Sequence, residues 1–290
     1  LPIGGFCAMG EDDEETESPG NFNNKSVWAR ISVIAAGPIF NFIMAFVLSL
    51  VLISLTGSDV PVLSRVEPNS PAYEAGLKKG DEITKIADSR VHNFREISYY
   101  LMLEGKGHSF DVEYKRNGEE YTTSVTPVYD KEIGSYRIGI QSSGYQKLNP
   151  LKTIQYSIYE VRCQIKVTVI SLKQLIMGQF GLNDISGPVG IVSMIGDTYT
   201  QAQSYGWLVI LESMLSLTIL LSANLGVMNL LPIPALDGGR LVFLLIEGIR
   251  GKAMDPDKEG KIHYVGLMLL LAIMLLVMVK DIRTLFIRFL

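Results

Sequence analysis

Residues 31 to 56 carry no charged side chain, and that run most restricts how this chain folds. A stretch of this length and apolarity spans a bilayer with some tilt, and within lipid only a helix or a closed barrel satisfies its backbone polar groups. A second charge-free run extends from Ser213 to Leu231, and a third, from Tyr264 to Val279, is long enough only with its flanks. Glu212 marks the start of the second run, where an end residue reads as facing the lipid interface and a buried functional charge is the alternative. Of all residues, 48% are hydrophobic and 19% charged, and the charges are gathered in blocks between the apolar runs. That distribution describes a helical membrane protein carrying a water-soluble module.

The second run ends in Asn224-Leu225-Gly226-Val227-Met228-Asn229-Leu230-Leu231-Pro232-Ile233-Pro234-Ala235-Leu236-Asp237-Gly238-Gly239, which places two prolines and a carboxylate where a helix should continue. Each proline removes a backbone donor, and an ionisable group near hydrocarbon is costly unless a partner or water compensates it. Asp237 is therefore a functional candidate: an oxygen ligand on an irregular, glycine-flanked segment suits a hard or borderline cation, and zinc accepts aspartate together with histidines. The plainer alternative is that the prolines end the helix and Asp237 is a solvated loop residue.

A net charge of -4 without a basic stripe gives no support for nucleic-acid binding. Cys7 and Cys163 lie far apart, outside the spacing of a structural zinc site, and each reads as a free thiol. His92, His108 and His263 include no pair four residues apart, so no helix face presents two histidines to a metal. The chain begins at Leu1, without an initiator methionine, and is expected to lack an upstream segment.

Between the first two runs lies a soluble α+β module. Ser70 and Pro71 start a short helix that Gly76 ends, and Gly80-Asp81 turns the chain into an alternating strand. A helix is expected over about Asn93 to Glu104, and strands at Ser109 to Glu113 and Glu119 to Thr126 flank a turn at Asn117-Gly118. The run Ser-Pro-Ala-x-x-Ala-Gly-Leu-x-x-Gly-Asp-x-Ile from Ser70 to Ile83 resembles that of bacterial protease-associated PDZ domains, which take up an extended peptide by strand addition. Tyr136-Arg137-Ile138-Gly139-Ile140 reads either as a strand of such a groove or as a generic buried strand. After the module, Leu151, Ile154, Ile158, Val161, Ile165, Val169, Leu172 and Ile176 recur at helical spacing among Lys152, Arg162, Lys166 and Lys173. This amphipathic helix lies along the membrane surface or packs on the module.

Four signatures in order resemble the site-2 protease family of intramembrane zinc metalloproteases, in its bacterial branch with one inserted PDZ domain and a regulatory link to sigma factors. Leu1-Pro2-Ile3-Gly4-Gly5-Phe6 is similar to the family's Pro-x-Gly-Gly-aromatic hairpin, and Gly37 to Ala45 to its Gly-x-x-x-Asn-x-x-x-Ala helix. The PDZ-like run comes next, and the stretch Asn224 to Gly239 resembles its Asn-Leu-x-Pro-x-Pro-x-Leu-Asp-Gly-Gly signature. The resemblance implies that Asp237 is the third protein ligand of Zn2+, beside two histidines of a His-Glu-x-x-His helix whose glutamate is the general base. That helix is absent from this sequence, so no catalytic base is assigned within it and the chain alone is expected to be inactive. By the same resemblance Asn41, Asn229, Pro232 and Pro234 line the site and hold an unwound substrate, and Gly4 and Gly5 belong to a hairpin pairing with substrate backbone. Helix packing and a simple tight turn are the alternatives for Asn41 and for Gly4 and Gly5.

The resulting architecture is a helical polytopic membrane protein with an inserted α+β PDZ-like domain. The hairpin and an acidic loop occupy 1–30, a membrane helix 31–57, the PDZ-like domain 58–145, an amphipathic helical region 146–204, a membrane helix ending in the site segment 205–236, a cytoplasmic loop 237–262 and a last membrane helix 263–290. Lys25 and Arg30 before the first span, and Arg240, Arg250, Lys252, Lys258 and Lys261 after the second, place those ends in the cytoplasm of a bacterial inner or plasma membrane, with the PDZ-like domain outside. Lys280, Arg283 and Arg288 break the rule. The family's substrates are pre-trimmed single-pass membrane proteins, such as anti-sigma factors and remnant signal peptides, with a peptide tail held at the PDZ-like domain. A catalytically silent membrane adaptor is the first alternative. A transporter or channel component is the second, and no repeated spans recommend it.

Overall fold

The computed structural model describes residues 22–181, 185–252 and 254–289. The hairpin expected at Gly4 and Gly5, the acidic stretch after it and Cys7 lie outside the described residues. Helix α1 (Val27–Thr56) opens the described chain and leads into strands β1 (Ser58–Asp59) and β2 (Leu63–Val66), helix α2 (Pro71–Glu74), β3 (Glu82–Ile86), β4 (Ser89–Arg90) and helix α3 (Phe94–Leu103). Strands β5 (Phe110–Arg116), β6 (Glu119–Val125), β7 (Val128–Asp130), β8 (Ser135–Arg137), β9 (Ile140–Ser142) and β10 (Tyr145–Gln146) complete the insertion. Helices α4 (Pro150–Ile176), α5 (Pro188–Gln203), α6 (Trp207–Asn229), α7 (Asp237–Arg250) and α8 (Pro256–Phe289) follow. Among the described residues, three helical segments, Val27–Thr56, Trp207–Asn229 and Asp257–Ile287, are long and apolar enough to cross a membrane. Glu212 sits inside α6, which starts five residues before it, after Gly206.

Two compact units form: one from the chain up to Phe42 with Ile185–Ile191 and Leu225–Leu290, the other from Ile43–Asp184 with Val192–Asn224. The second unit holds the inserted domain, whose elements arise from local chemistry. Ser70 Oγ accepts the Tyr73 amide at 3.3 Å and Pro71 supplies the first helical φ of α2. Asn93 Oδ1 accepts the Glu96 amide at 3.0 Å, while the Glu96 carboxylate accepts the His92 amide at 2.7 Å, so both chains cap the start of α3. Asn117 and Gly118, at φ 53° and 89°, turn β5 into β6 with Arg116 opposite Glu119, the two-residue connection favoured by strand twist. An antiparallel sheet in the order β4-β3-β5-β6 results, and Leu63, Leu77, Ile83, Ile86, Ile97, Val112, Val125 and Ile138 fill the core against α3.

The Gly80-Asp81 pair closes the turn before β3 through its carboxylate. Asp81 is fully buried and accepts the Lys78 amide at 2.7 Å and two Arg116 guanidinium donors at 2.7 Å each, with Arg116 also donating to the Gly76 carbonyl at 2.9 Å. The segment Tyr136 to Ile140 is two strands rather than one. Gly139 at φ 78° breaks it, and the Ile138 and Gly139 carbonyls accept the amides of Ala72 and Glu67 at 2.9 and 2.8 Å. Ile138 points into the core, β8 pairs with β7, and β9 pairs with β2.

Helix α4 packs the reverse of an ordinary amphipathic helix. Leu151, Ile154, Ile158, Val169 and Ile176 of its apolar stripe are exposed, whereas Thr153, Ser157, Glu160, Cys163, Gln164, Thr168 and Gln174 are buried. Hydrogen bonds explain the choice. Arg95 of α3 donates to Glu160 at 2.6 Å, Gln164 donates to the same carboxylate at 2.9 Å, Thr168 bonds Asn224 of α6, and Gln174 donates to the Leu103 carbonyl. Val161 alone of the named stripe is buried, in a cluster with Ala45, Leu52, Ile219 and Ala223. The Cys163 thiol is buried and free, and burial pushes its pKa up to about 12, which leaves it unreactive.

In the other unit, the stretch expected as a loop over 237–262 is largely helical. α7 fills Asp237–Arg250 because Leu244, Gly238 and Gly239 form its buried face, and Gly251 at φ 67° caps it through a bond to the Glu247 carbonyl at 2.8 Å. Arg30 of α1 pairs with Glu247 of α7, both side chains largely buried. Asp281 of α8, also buried, accepts the amides of Gly187 and Gly190 at 2.9 and 2.7 Å and thereby caps α5. Its neighbour Lys280 donates to the Ile185 carbonyl at 2.8 Å, so this cation serves a backbone contact within the unit.

Candidate functional site

Helix α6 stops at Asn229 because Pro232 and Pro234 have no amide with which to prolong it. Short local bonds carry the next seven residues. The Leu230 and Leu231 amides reach the Val227 and Met228 carbonyls at 3.1 Å, and those of Ile233 and Leu236 reach Leu231 and Ile233 at 2.7 and 3.1 Å. Ala235 adopts φ 78°, a left-handed conformation unfavourable for a residue with a Cβ, and the chain then re-enters a helix at Asp237.

Two glycines allow this reversal. A Cβ on Gly238 would lie 2.2 Å from the Leu231 carbonyl oxygen, and one on Gly239 would lie 2.4 Å from that of Ile233. The first turn of α7 is thus laid directly on the backbone of the irregular segment, and Asp-Gly-Gly is one structural unit. From α8, Gly266 approaches as closely: a Cβ there would stand 2.5 Å from Pro234 Cβ. His263, one turn earlier on α8, accepts the Ala235 amide at Nδ1 over 2.9 Å, with its ring edge-on to Phe243 at 5.4 Å between centroids.

Asp237 therefore begins a helix, where the unpaired amides and the dipole favour a negative charge. Its carboxylate faces α1: a Cβ on Gly37 would lie 3.4 Å from Oδ2, so a glycine leaves room beside the acid. Burial raises the pKa of this carboxyl, and the charge of Arg240 pulls it down. Asn41 is half-buried one turn beyond Gly37 on the same helix, Asn229 is half-buried at the end of α6, Pro232 is exposed and Pro234 is half-buried under Gly266. The fold thus gathers Gly37, Pro234 and Asp237 with His263 and Gly266, and of these the sequence pattern singled out only Pro234 and Asp237 as site residues. His263 stands just before the apolar run that begins at Tyr264, beside Lys261, and nothing local marks it or Gly266.

As a metal ligand Asp237 fits in kind: an oxygen donor, partly buried, on a backbone tied down from three sides. It does not fit in number. Among the described residues no group of three histidine, cysteine, aspartate or glutamate side chains is arranged to hold a metal ion, and one carboxylate does not make a zinc site.

Comparisons with known proteins bear on the whole chain. Residues 1–273 match the sequence model of peptidase family M50. A putative zinc metalloprotease of Clostridium acetobutylicum is 37% identical over 282 residues, covering 97% of this chain and 80% of that protein. The regulator of sigma-W protease RasP of Bacillus subtilis is 37% identical over 284 residues, covering 97% of this chain and 65% of RasP. The chain thus spans just under two thirds of RasP. Among solved structures, the PDZ domain of an SdrC-like protein of Listeria monocytogenes matches at 24% identity and a TM-score of 0.27, covering 29% of this chain and 88% of that one. The family match runs through the Asp237 segment and across nearly the full sequence, and this chain is a member of peptidase family M50.

Proposed function

We propose that this chain is the greater part of an intramembrane zinc endopeptidase that cuts transmembrane segments of single-pass proteins after their ectodomains have been trimmed. The observation that carries this reading is the Asp237 carboxylate, fixed at a helix start after the irregular segment that ends one candidate membrane span and facing Gly37 of another. Asp237 is one zinc ligand, and the remaining ligands and the general base come from residues outside this sequence. Zinc held by Asp237 together with those further ligands would supply an activated water and polarise the scissile carbonyl.

The chain's own residues prepare the substrate. A membrane helix hides its peptide bonds in hydrogen bonds, so the enzyme must unwind it before water reaches the carbonyl. Asn41, Asn229, Pro232 and Pro234 hold the unwound segment, and Gly4 and Gly5 pair with its backbone. The inserted PDZ-like domain lies outside the cytoplasm, as the basic residues after α6 imply, and selects substrates by their trimmed tails. Membrane-anchored regulators of sigma factors, such as anti-sigma factors, are the substrate class, by analogy with the role named for RasP. Remnant signal peptides meet the same chemical requirement.

The test is metal analysis and cleavage of a model membrane substrate, with this chain and with the full-length protein side by side. The full-length protein binds one zinc and cleaves, while the chain alone binds zinc weakly and is inactive. A full-length protein that retains no zinc and cuts nothing replaces this reading with that of a silent adaptor.

A further inference from the structure

His263 is the residue of the Asp237 neighbourhood that the proposed chemistry does not use. It lies near the start of a candidate membrane-spanning helix, two residues after Lys261 and just before the charge-free run that begins at Tyr264. Its side chain is 17% exposed, so the ring is held among neighbours rather than in water. Nδ1 accepts the Ala235 amide at 2.9 Å, which puts the proton of the neutral ring on Nε2. Nε2 itself is buried without a hydrogen-bond partner among the described residues, and the Glu259 carboxylate stands 3.9 Å away, beyond bonding distance. One directed contact therefore accounts for the imidazole, and it goes to the residue with the most unfavourable backbone in the segment.

Ala235 is held at φ 78° although it is not glycine, two residues before Asp237. Such a conformation persists only when its surroundings over-determine it. Two contacts from α8 do so: Gly266 packs against Pro234 immediately before it, and His263 takes its amide. Pro232 and Pro234 have no amides, so Ala235 offers one of the few donors by which this turn can be tied to another helix.

We propose that His263 is a positioning residue for Asp237: by accepting the Ala235 amide it holds the left-handed turn that sets where the Asp237 carboxylate points. This rests on the reading of Asp237 as a zinc ligand, although the hydrogen bond does not. The imidazole acts as an acceptor and neither binds the metal nor touches substrate.

The experiment compares His263→Asn, whose Oδ1 stands close to the place of Nδ1, with His263→Phe, which keeps a ring but loses the acceptor. Both are made in the full-length protein in detergent. Backbone hydrogen exchange in the His263→Phe variant speeds about tenfold at Ala235 and its neighbours, the size expected for one lost hydrogen bond. Zinc retention against a competing chelator and cleavage of a model membrane substrate both fall about tenfold, while His263→Asn stays near wild type in all three readouts. A Phe variant that fails to accumulate beside a wild-type-like Asn variant supports the same conclusion. Wild-type exchange and zinc retention in the Phe variant overturn it. Equal loss in both variants also overturns it, because ring packing against Phe243 would then be the operative contact. If the wild-type protein itself holds no zinc, the Asp237 reading fails, and the exchange measurement alone decides the role of His263.

Discussion

Asp81 and Asp237 each belong to an aspartate-glycine turn that opens an element, yet they are employed in opposite ways. Asp81 in the inserted domain is fully enclosed, with Arg116 on both carboxylate oxygens and the Lys78 amide on one. Its capacity to bind is spent within the fold, and it holds the turn ahead of β3. Asp237 stands at a helix start with room made for it by Gly37, and the surrounding backbone is fastened instead through Gly238, Gly239, Gly266 and His263. A carboxylate satisfied by its own domain is a structural part, whereas one whose support is delivered to the backbone beneath it is left available for a ligand.

The largest expected effect is on Asp237. In the full-length protein, Asp237→Asn keeps the shape and removes the charge, so cleavage of a model membrane substrate falls about 100-fold or more while the protein accumulates normally. Near-normal cleavage removes Asp237 from the ligand set and breaks the contrast with Asp81. Gly239→Ala comes next. Its Cβ meets the Ile233 carbonyl at 2.4 Å and the turn must move, so activity drops about tenfold or more and exchange of residues 230–239 quickens. Unchanged exchange there would show that the segment gives way freely.

Asp81→Asn should separate stability from chemistry. Loss of a charge-assisted contact to Arg116 costs the inserted domain about 2 kcal/mol, read as an earlier unfolding transition of the domain, with cleavage of short-tailed substrates little changed. Cleavage that falls as far as in Asp237→Asn would mean the two carboxylates are not doing different jobs. The smallest effect sharpens the domain's side of the comparison. Deleting about Val60 to Val128 preserves cleavage of short-tailed substrates and relaxes discrimination against untrimmed ones by about tenfold or less. A correctly inserted deletion protein that cuts no substrate overturns the gating role and makes the domain a support of the catalytic unit.

Helix α4 shows where pattern reading stops. Its apolar spacing was plain in the sequence, but spacing identifies a helix and its two faces without saying which face is packed. Arg95, Leu103 and Asn224 offer polar partners, so the polar face turned inward and left Leu151, Ile154, Ile158, Val169 and Ile176 exposed. A helix facing lipid with its apolar side meets the same requirement, because the solvent there is not water. The expected strand over Tyr136 to Ile140 failed for a related reason: Gly139 breaks it so that neighbouring carbonyls can reach the amides at Glu67 and Ala72, some seventy residues away.

Sequence by itself determined the apolar helices, the Ser70-Pro71 start of α2, the helix over about Asn93 to Glu104, the Asn117-Gly118 turn and the identity of Asp237 as the anomalous carboxylate. Each of these is written in residues within a few positions of one another, where caps, turns and periodicity act. Only the tertiary structure decided that Gly37, His263 and Gly266 converge on the Pro234 to Asp237 turn. Glycine and histidine bear no mark of their partner when that partner lies tens or hundreds of residues away, and a close approach exists only once two helices have packed.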